Sequence, residues 1–162
     1  MVIHAHRAGH DAITKGKHGI SMLLIAEIAR LIGVDQIHVG AILGKMKGTA
    51  IEVKHISEMI ENKMIYPSKR AHILEQKWYN VKPVFAVCSG GLHPGHVDKL
   101  VKVLGRDIII QMGGGIHGHP DGTRAGAIAT RQAVDAVMKG ISLRYYAKKH
   151  KELSVALKHW RI

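Results

Sequence analysis

The sequence predicts an α/β fold built on parallel strands, and three observations carry that reading. Short apolar runs alternate with longer helix-prone runs along the 162 residues. A hydrophobic content of 46% is enough to bury one core, and the length suits one domain. Each of the four strand-like runs ends in chemically marked residues. These are His4, His6 and Arg7, then His38 and Gly40, then Ser89-Gly90-Gly91, then Gly113-Gly114-Gly115. In parallel α/β folds the C-terminal strand ends line the binding face, so four marked ends point to one functional face.

The elements follow in order. Residues 1–6 are short, apolar and alternating, as a strand requires. Residues 20–32 are too long and helix-prone for a strand, and Gly33 is placed to cap them. Residues 35–39 read as a second strand, followed by a glycine-rich turn over 40–48. Ile51, Ile56, Met59, Ile60 and Met64 recur at helical spacing and predict a helix over 51–64. The polar stretch 66–82, with Pro67 and a following Pro83, reads as a long irregular connection. A third strand is predicted over 84–88 and a helix over 94–104, with Pro94 in its first turn. A fourth strand follows over 107–112 and an alanine-rich helix over 123–138. The basic segment 142–160 is expected to form an appended helical tail. Strands alternating with helices argue for a parallel sheet.

Composition removes several classes of function. Mean hydropathy is +0.02, and no apolar run approaches the roughly 20 residues of a membrane helix, so no membrane partner is expected. The apolar content argues against disorder. Basic residues and histidines interrupt residues 1–18, which lack the apolar centre of a secretory signal. The single Cys88 excludes an internal disulfide and a cysteine-based zinc site, and a reducing cytoplasm is the expected compartment. The formal net charge is +12, with 13 His and 18 Gly. Such a surplus calls for an anionic partner. Proteins that bind single strands stack bases on aromatic rings. One Phe, two Trp and four Tyr, with scattered basic residues, disfavour nucleic acid.

The strand ends carry their own chemistry. Consecutive glycines permit positive φ and close backbone approach, and their N–H groups beside a helix start can cradle an anion. Gly90-Gly91 and Gly113-Gly114-Gly115 read as two phosphate cradles or, more simply, as tight strand-to-helix turns; a double and a triple glycine favour phosphate. Gly113 to Gly118 also matches G-x-G-x-x-G, but only helix follows, and the acidic Asp135 falls inside it. A dinucleotide site needs a second strand there. His4 and His6 share one strand face and, with His10, His117 or His119, can be read as metal ligands or as core and ligand-facing residues. Lys45, between Gly40 and Gly48, is either a lid lysine offering charge to a developing anion or a solvated surface residue.

Five runs occur in order: residues 4–10 (His-Ala-His-Arg-Ala-Gly-His), 35–40 (Asp-Gln-Ile-His-Val-Gly), 44–48 (Gly-Lys-Met-Lys-Gly), 89–95 (Ser-Gly-Gly-Leu-His-Pro-Gly) and 111–122 (Gln-Met-Gly-Gly-Gly-Ile-His-Gly-His-Pro-Asp-Gly). Together they resemble the C-terminal part of the large subunit of ribulose-bisphosphate carboxylase/oxygenase, most closely its archaeal form III branch, over essentially the whole chain. The resemblance implies the C-terminal half of a (β/α)8 barrel, strands five to eight with their helices. Residues 1–140 would form that half-barrel, and residues 141–162 a helical tail. It implies catalytic roles for His6, a proton-transfer group, and Lys45, which stabilises the carboxylate formed from CO2. Arg7 and His38 would bind one phosphate. Ser89 would contact a substrate hydroxyl. Gly90, Gly91, Gln111, Met112, Gly113 and Gly114 would form or lead into the cradle for the other phosphate.

The implied reaction converts ribulose 1,5-bisphosphate and CO2, with O2 as competitor, into two 3-phosphoglycerates, in a nucleotide (AMP) salvage role. The implied cofactor is Mg2+, held by acidic residues and a carbamylated lysine on strands one to four. None of these matches a position in this chain, so no metal ligand is expected within it. The chain alone is expected to lack carboxylase activity and to need an N-terminal half, or to self-associate, within a homo-oligomer. Lys47 stands where the family usually has Glu, Ala41 where Thr is common, and His117 where an apolar residue is usual. These departures bear on efficiency more than on substrate class. Two alternatives stay open: a non-catalytic half-barrel binding phosphorylated ligands, and a related enolase acting on a monophosphate. The presence of Arg7, His38 and Lys45 weighs against the enolase.

Overall fold

The computed structural model describes residues 1–43, 50–69 and 71–162. Backbone packing divides these into two compact units. The first is drawn from Met1–Ile42, the described chain between residue 50 and Cys88, and Asp107–Ile109; the second from Ser89–Arg106 and Ile110–Ile162. In chain order the elements are β1 (His4–Ala5), α1 (Asp11–Thr14), α2 (Met22–Leu31), β2 (Gln36–Gly40), α3 (Ala50–Glu61), β3 (Met64–Ile65), β4 (Gln76–Lys77) and β5 (Phe85–Ser89). A 3-10 turn (Pro94–His96) follows, then α4 (Val97–Leu104), β6 (Ile108–Gln111), α5 (Gly114–His117), α6 (Gly122–Met138), α7 (Leu143–Ala147) and α8 (Lys151–His159).

Four strands form one sheet in the order β1-β2-β5-β6. The strands stand in chain order, with a helix in each connection. β1 runs parallel to β2, with His4 opposite Gln36 and Ala5 opposite Ile37. β2 runs parallel to β5, and its register shifts between His38 and Gly40, where Val39 is bulged. The four expected strands and the α/β class are therefore present.

In the first unit the Ser21 hydroxyl accepts Leu24 N–H at 3.1 Å and caps α2. Met22, Ala26 and Ala29 turn inward, while Leu24, Ile28 and Leu31 stay exposed along the outer face. Arg30 is fully buried. Its Nη1 donates to Met59 O at 2.9 Å and Asn62 O at 2.7 Å, and its Nε donates to Lys82 O at 3.1 Å. The guanidinium lies 4.3 Å from the Trp78 ring centre. Met59 and Asn62 sit at the C-terminal end of α3, where carbonyls lack helical partners and the helix dipole is negative. One cation thus fastens α2 to the end of α3 and to the chain entering β5.

The stretch 66–82 departs from expectation. β3 and β4 pair antiparallel across it, Ser68 bridges Ile73, and Ile65, Ile73, Trp78 and Met59 form a buried cluster. The polar composition hid this, because among the described residues of the stretch Ile73 and Trp78 are the large buried side chains that anchor it.

Glu61 ends α3 beside a cavity of about 490 Å3 lined also by Asn62, Pro83, Val84, Phe85 and Asp107. Burial pushes its carboxyl up to about 7, with Asp107 and Glu58 pushing the same way; Ser57 Oγ, donating at 2.9 Å, opposes the shift. The Cys88 thiol is buried, and burial pushes it up to about 12.

The second unit is helical. Val97, Ala133, Ala136, Leu143, Ala147, Leu153 and Leu157 form its core. Gly126 in α6 lies so close to α5 that a Cβ there would meet Ile116 O at 2.0 Å. Gln132 joins α6 to α8, donating to Glu152 Oε2 at 2.7 Å and accepting Leu153 N–H at 2.9 Å. The C-terminal segment is helical as expected, but it is not an appendage: α7 and α8 supply four of the seven core residues. Its basic residues lie on the outer faces and masked that inner stripe.

Two outcomes test this packing. Arg30→Met, which keeps volume but strands several carbonyls, is expected to lower unfolding free energy by about 3 kcal/mol in urea. A loss below about 1 kcal/mol would show the clamp to be dispensable. Neutral Glu61 is favoured in the folded state. Its contribution is therefore complete below the usual value of 4.5 and is lost as pH rises through about 7. Glu61→Gln should flatten the decline in the urea midpoint between about pH 5 and 8; an unchanged decline would exclude this carboxyl as its source.

Candidate functional site

The parallel register builds the first constellation. His4 and Gln36 are direct partners on β1 and β2, and His38 follows Gln36 by two positions on the same strand face. His4 Nδ1 lies 2.7 Å from Gln36 Oε1, and His4 Nε2 lies 2.7 Å from His38 Nε2. The His6 and His38 rings are 4.4 Å apart between centroids. His38 is 2% exposed. Burial, with smaller contributions from nearby His6, His4 and Arg7, holds its pKa down to about 4. His38 is therefore neutral at pH 7. Ala8 N–H donates to His6 Nδ1 at 3.0 Å, so the neutral His6 ring carries its proton on Nε2.

Arg7 follows β1 and is half-buried. Its guanidinium occupies the space of an absent side chain: a Cβ on Gly40 would stand 2.6 Å from Arg7 Nη2. Gly40 also has φ +107, which a side chain would resist. Glycine at the end of β2 thus suits the backbone conformation, and a side chain there would displace the Arg7 guanidinium. Burial lowers the Arg7 pKa, against the opposing charges of Glu52 and Asp11. Lys45 and Lys47 lie outside the described residues. Ala41 is buried.

The second constellation lies on the turns after β5 and β6. Ser89 ends β5 half-buried. Gly90 and Gly91 have φ of +106 and +67, so this pair uses the freedom expected of it. The triple glycine divides its work differently. Gly113 has φ −107, and a Cβ on Gly113 or Gly114 would meet nothing within 4 Å. A Cβ on Gly115 would stand 2.0 Å from Leu92 O and 2.6 Å from His93 Cα. Gly115 is therefore a packing glycine that lets the two turns touch. α5 starts at Gly114, so the first N–H groups of that turn have no helical carbonyl to reach. Gln111 is exposed at the end of β6. The Met112 side chain packs against the core, with Thr130 Oγ1 3.8 Å from its sulfur, leaving its backbone for the turn.

Several other histidines have local partners. His10 Nδ1 is 2.9 Å from Arg7 O, and His117 Nδ1 is 3.1 Å from Thr123 Oγ1. His119 accepts Asp121 N–H on Nδ1, and its Nε2–H donates to Glu152 O at 3.0 Å, stapling the entry of α6 to α8. His93 stacks on Trp160 at 4.9 Å and on His96 at 3.6 Å, and burial pushes its pKa down to about 4. The pairing with Trp160 was invisible in sequence because 67 positions separate the two rings. Among the described residues no group of three or more His, Cys, Asp or Glu side chains could hold a metal ion. The imidazoles and guanidinium gathered here do not fit Mg2+, which takes carboxylate and water oxygens. They suit an anion and the holding of a proton.

The family model for the ribulose bisphosphate carboxylase large chain, catalytic domain, matches residues 1–160. Ribulose bisphosphate carboxylase of Methanocaldococcus jannaschii is 51% identical over 99% of this chain and 38% of its own length. That of Thermococcus kodakarensis is 48% identical, covering 99% and 37%. The dimeric archaeal enzyme of Hyperthermus butylicus superposes with a TM-score of 0.89 at 49% identity, covering 99% of this chain and 37% of that one. The octameric enzyme of Pyrococcus horikoshii gives 0.84 at 46%, covering 98% and 35%. The chain thus spans under two fifths of these relatives. With its parallel α/β sheet and its match along nearly every residue, it belongs to the ribulose bisphosphate carboxylase large-chain family, within the catalytic domain.

Proposed function

We propose that the chain is the C-terminal half of a (β/α)8 carboxylase barrel of the form III type, with residues 1–140 as strands five to eight and residues 141–162 as its helical tail. In this reading it serves the carboxylation of ribulose 1,5-bisphosphate to two 3-phosphoglycerates in nucleotide salvage. The observation that carries it is the seating of Arg7 against Gly40 beside the neutral His38 and the His6 ring, at the ends of two parallel strands. A fixed cation with adjoining imidazole donors suits a phosphate dianion. His6, with its proton on Nε2, is the proton-transfer group in this reading, and Lys45 the lid cation. Ser89 takes a substrate hydroxyl. The backbone at Gly90, Gly91, Gly113 and Gly114, reached through Gln111 and Met112, takes the second phosphate.

Mg2+ and the carbamylated lysine belong, in this reading, to residues other than those of this chain. The half-barrel reading draws support from a sheet in chain order with β1 and β6 outermost. The exposed Leu24, Ile28 and Leu31 of α2 support a further partner, either the other barrel half or a second copy within a homo-oligomer.

Calorimetry of the chain with ribulose 1,5-bisphosphate is expected to show binding well above that of ribulose 5-phosphate. Arg7→Ala should weaken the bisphosphate by about tenfold to a hundredfold. Equal affinity for the two ligands would favour the monophosphate enolase. With Mg2+ and bicarbonate the isolated chain should yield no phosphoglycerate; product formation would overturn the assignment of the metal site to residues elsewhere.

A further inference from the structure

Backbone amides that hold an anion must be fixed in place by their neighbours. Gly90, Gly91, Gly113 and Gly114 carry no side chain with which to anchor their own N–H groups. α5, which begins at Gly114, has four residues, and a single helical turn does not stand without outside support. The turns after β5 and β6 meet where Gly115 lies against Leu92 O and His93 Cα. The His93 side chain is buried there, and its Nδ1 has no hydrogen-bond partner. Stacking holds the ring instead, against His96 at 3.6 Å and against Trp160 at 4.9 Å, the Trp160 plane within 6° of parallel. The same indole reaches the other turn. A Cβ on Gly118, which closes α5, would stand 3.8 Å from Trp160 Cζ2.

The way α8 ends sets the indole in this place. Arg161 has φ +54, a left-handed value that residues other than glycine seldom adopt. Ile162 N–H then donates to Leu157 O at 3.0 Å, a helix closure usually given to glycine. Ile162 is thereby laid on Gly95, where a Cβ would stand 2.7 Å from Ile162 Cγ1. Trp160 is half-buried and does not belong to the buried core cluster of this unit.

We propose that Trp160 is a positioning residue for the second phosphate: stacked on His93 and set beside Gly118, it braces together the two turns whose backbone forms the cradle. The proposal rests on the reading of Gly90, Gly91, Gly113 and Gly114 as that cradle, and extends it to a residue that touches no ligand. Turns held at a fixed spacing lose less freedom when their N–H groups close on an anion, so the brace acts on affinity. The stacked plane is what matters: phenylalanine retains one, whereas leucine fills space without it.

The test is a titration of the full chain with inorganic phosphate, followed by NMR at the backbone amides of Gly90, Gly91, Gly113 and Gly114. Wild type, Trp160→Phe, Trp160→Leu, His93→Leu and the double leucine variant are compared. In wild type, phosphate should shift these amides. Trp160→Leu should weaken that binding about threefold to tenfold, and Trp160→Phe should restore most of it. His93→Leu removes the other ring of the pair and should cost the same, with the double variant no weaker than either single one. Wild-type affinity in Trp160→Leu, a phenylalanine variant as weak as the leucine one, or additive losses in the double variant would each overturn the brace. If phosphate moves none of these amides in wild type, the cradle reading falls instead. Hydrogen exchange without ligand then decides the brace: faster exchange at His93 and Gly118 in Trp160→Leu than in Trp160→Phe upholds it, and equal exchange overturns it.

Discussion

The carboxylate of Asp35 ties together the entry ends of three strands. It accepts Ile3 N–H at 2.7 Å ahead of β1 and Lys82 Nζ at 2.6 Å ahead of β5, while Asp35 itself leads into β2. Its backbone joins the same knot: Asp35 N–H donates to Ile3 O, and Asp35 O accepts Phe85 N–H. The Ile3 and Lys82 bonds hold the carboxyl below the usual aspartate range, so it stays charged. What this fixes is register. A slip of one residue between β1 and β2 would turn His4 and His6 to the opposite face and separate them from Gln36 and His38. The imidazole cluster at the exit end depends on a salt link at the entry end.

Space reserved by missing side chains is the second constraint. Gly40 leaves a slot for Arg7, Gly115 lets the turns after β5 and β6 touch, and Gly126 brings α6 onto α5. At Gly115 and Gly126 a methyl group would fall 2.0 Å from a backbone carbonyl oxygen, which cannot simply move aside, whereas at Gly40 it would meet the mobile end of Arg7 and the φ of +107 is the stronger constraint. Gly90 and Gly91 serve a different end, the left-handed backbone. The high glycine content is thus divided between backbone conformation and close approach, and a sequence alone shows only the total.

How much was legible beforehand follows the same division. The four strands were readable because each is a short apolar run closed by a marked residue, and α2 and α6 because their patterns are long. The family was readable from five ordered runs. The antiparallel pairing of β3 with β4 was not, since the polar surface around it outweighs the few residues that anchor it. The built-in role of α7 and α8 was hidden by their lysines, whose charge marks the outer face and says nothing of Leu153 or Leu157. His6, Arg7 and His38 were candidates through the family resemblance, but the contact of His4 with Gln36 depends on cross-strand pairing over 32 positions, which no local pattern encodes. Arg30 was equally unreadable: in sequence it is one more basic residue on a helix.

Cys88 sits on β5 against β2, fully covered, with its thiol pushed up to about 12. Only the thiolate attacks electrophiles or disulfides, so the folded chain is inert to alkylation and to oxidative cross-linking at ordinary pH. Reaction at this sulfur therefore requires the middle of the sheet to open. Because the chain has a single cysteine, its labelling rate counts those openings and nothing else, giving the sheet a built-in clock for its own breathing.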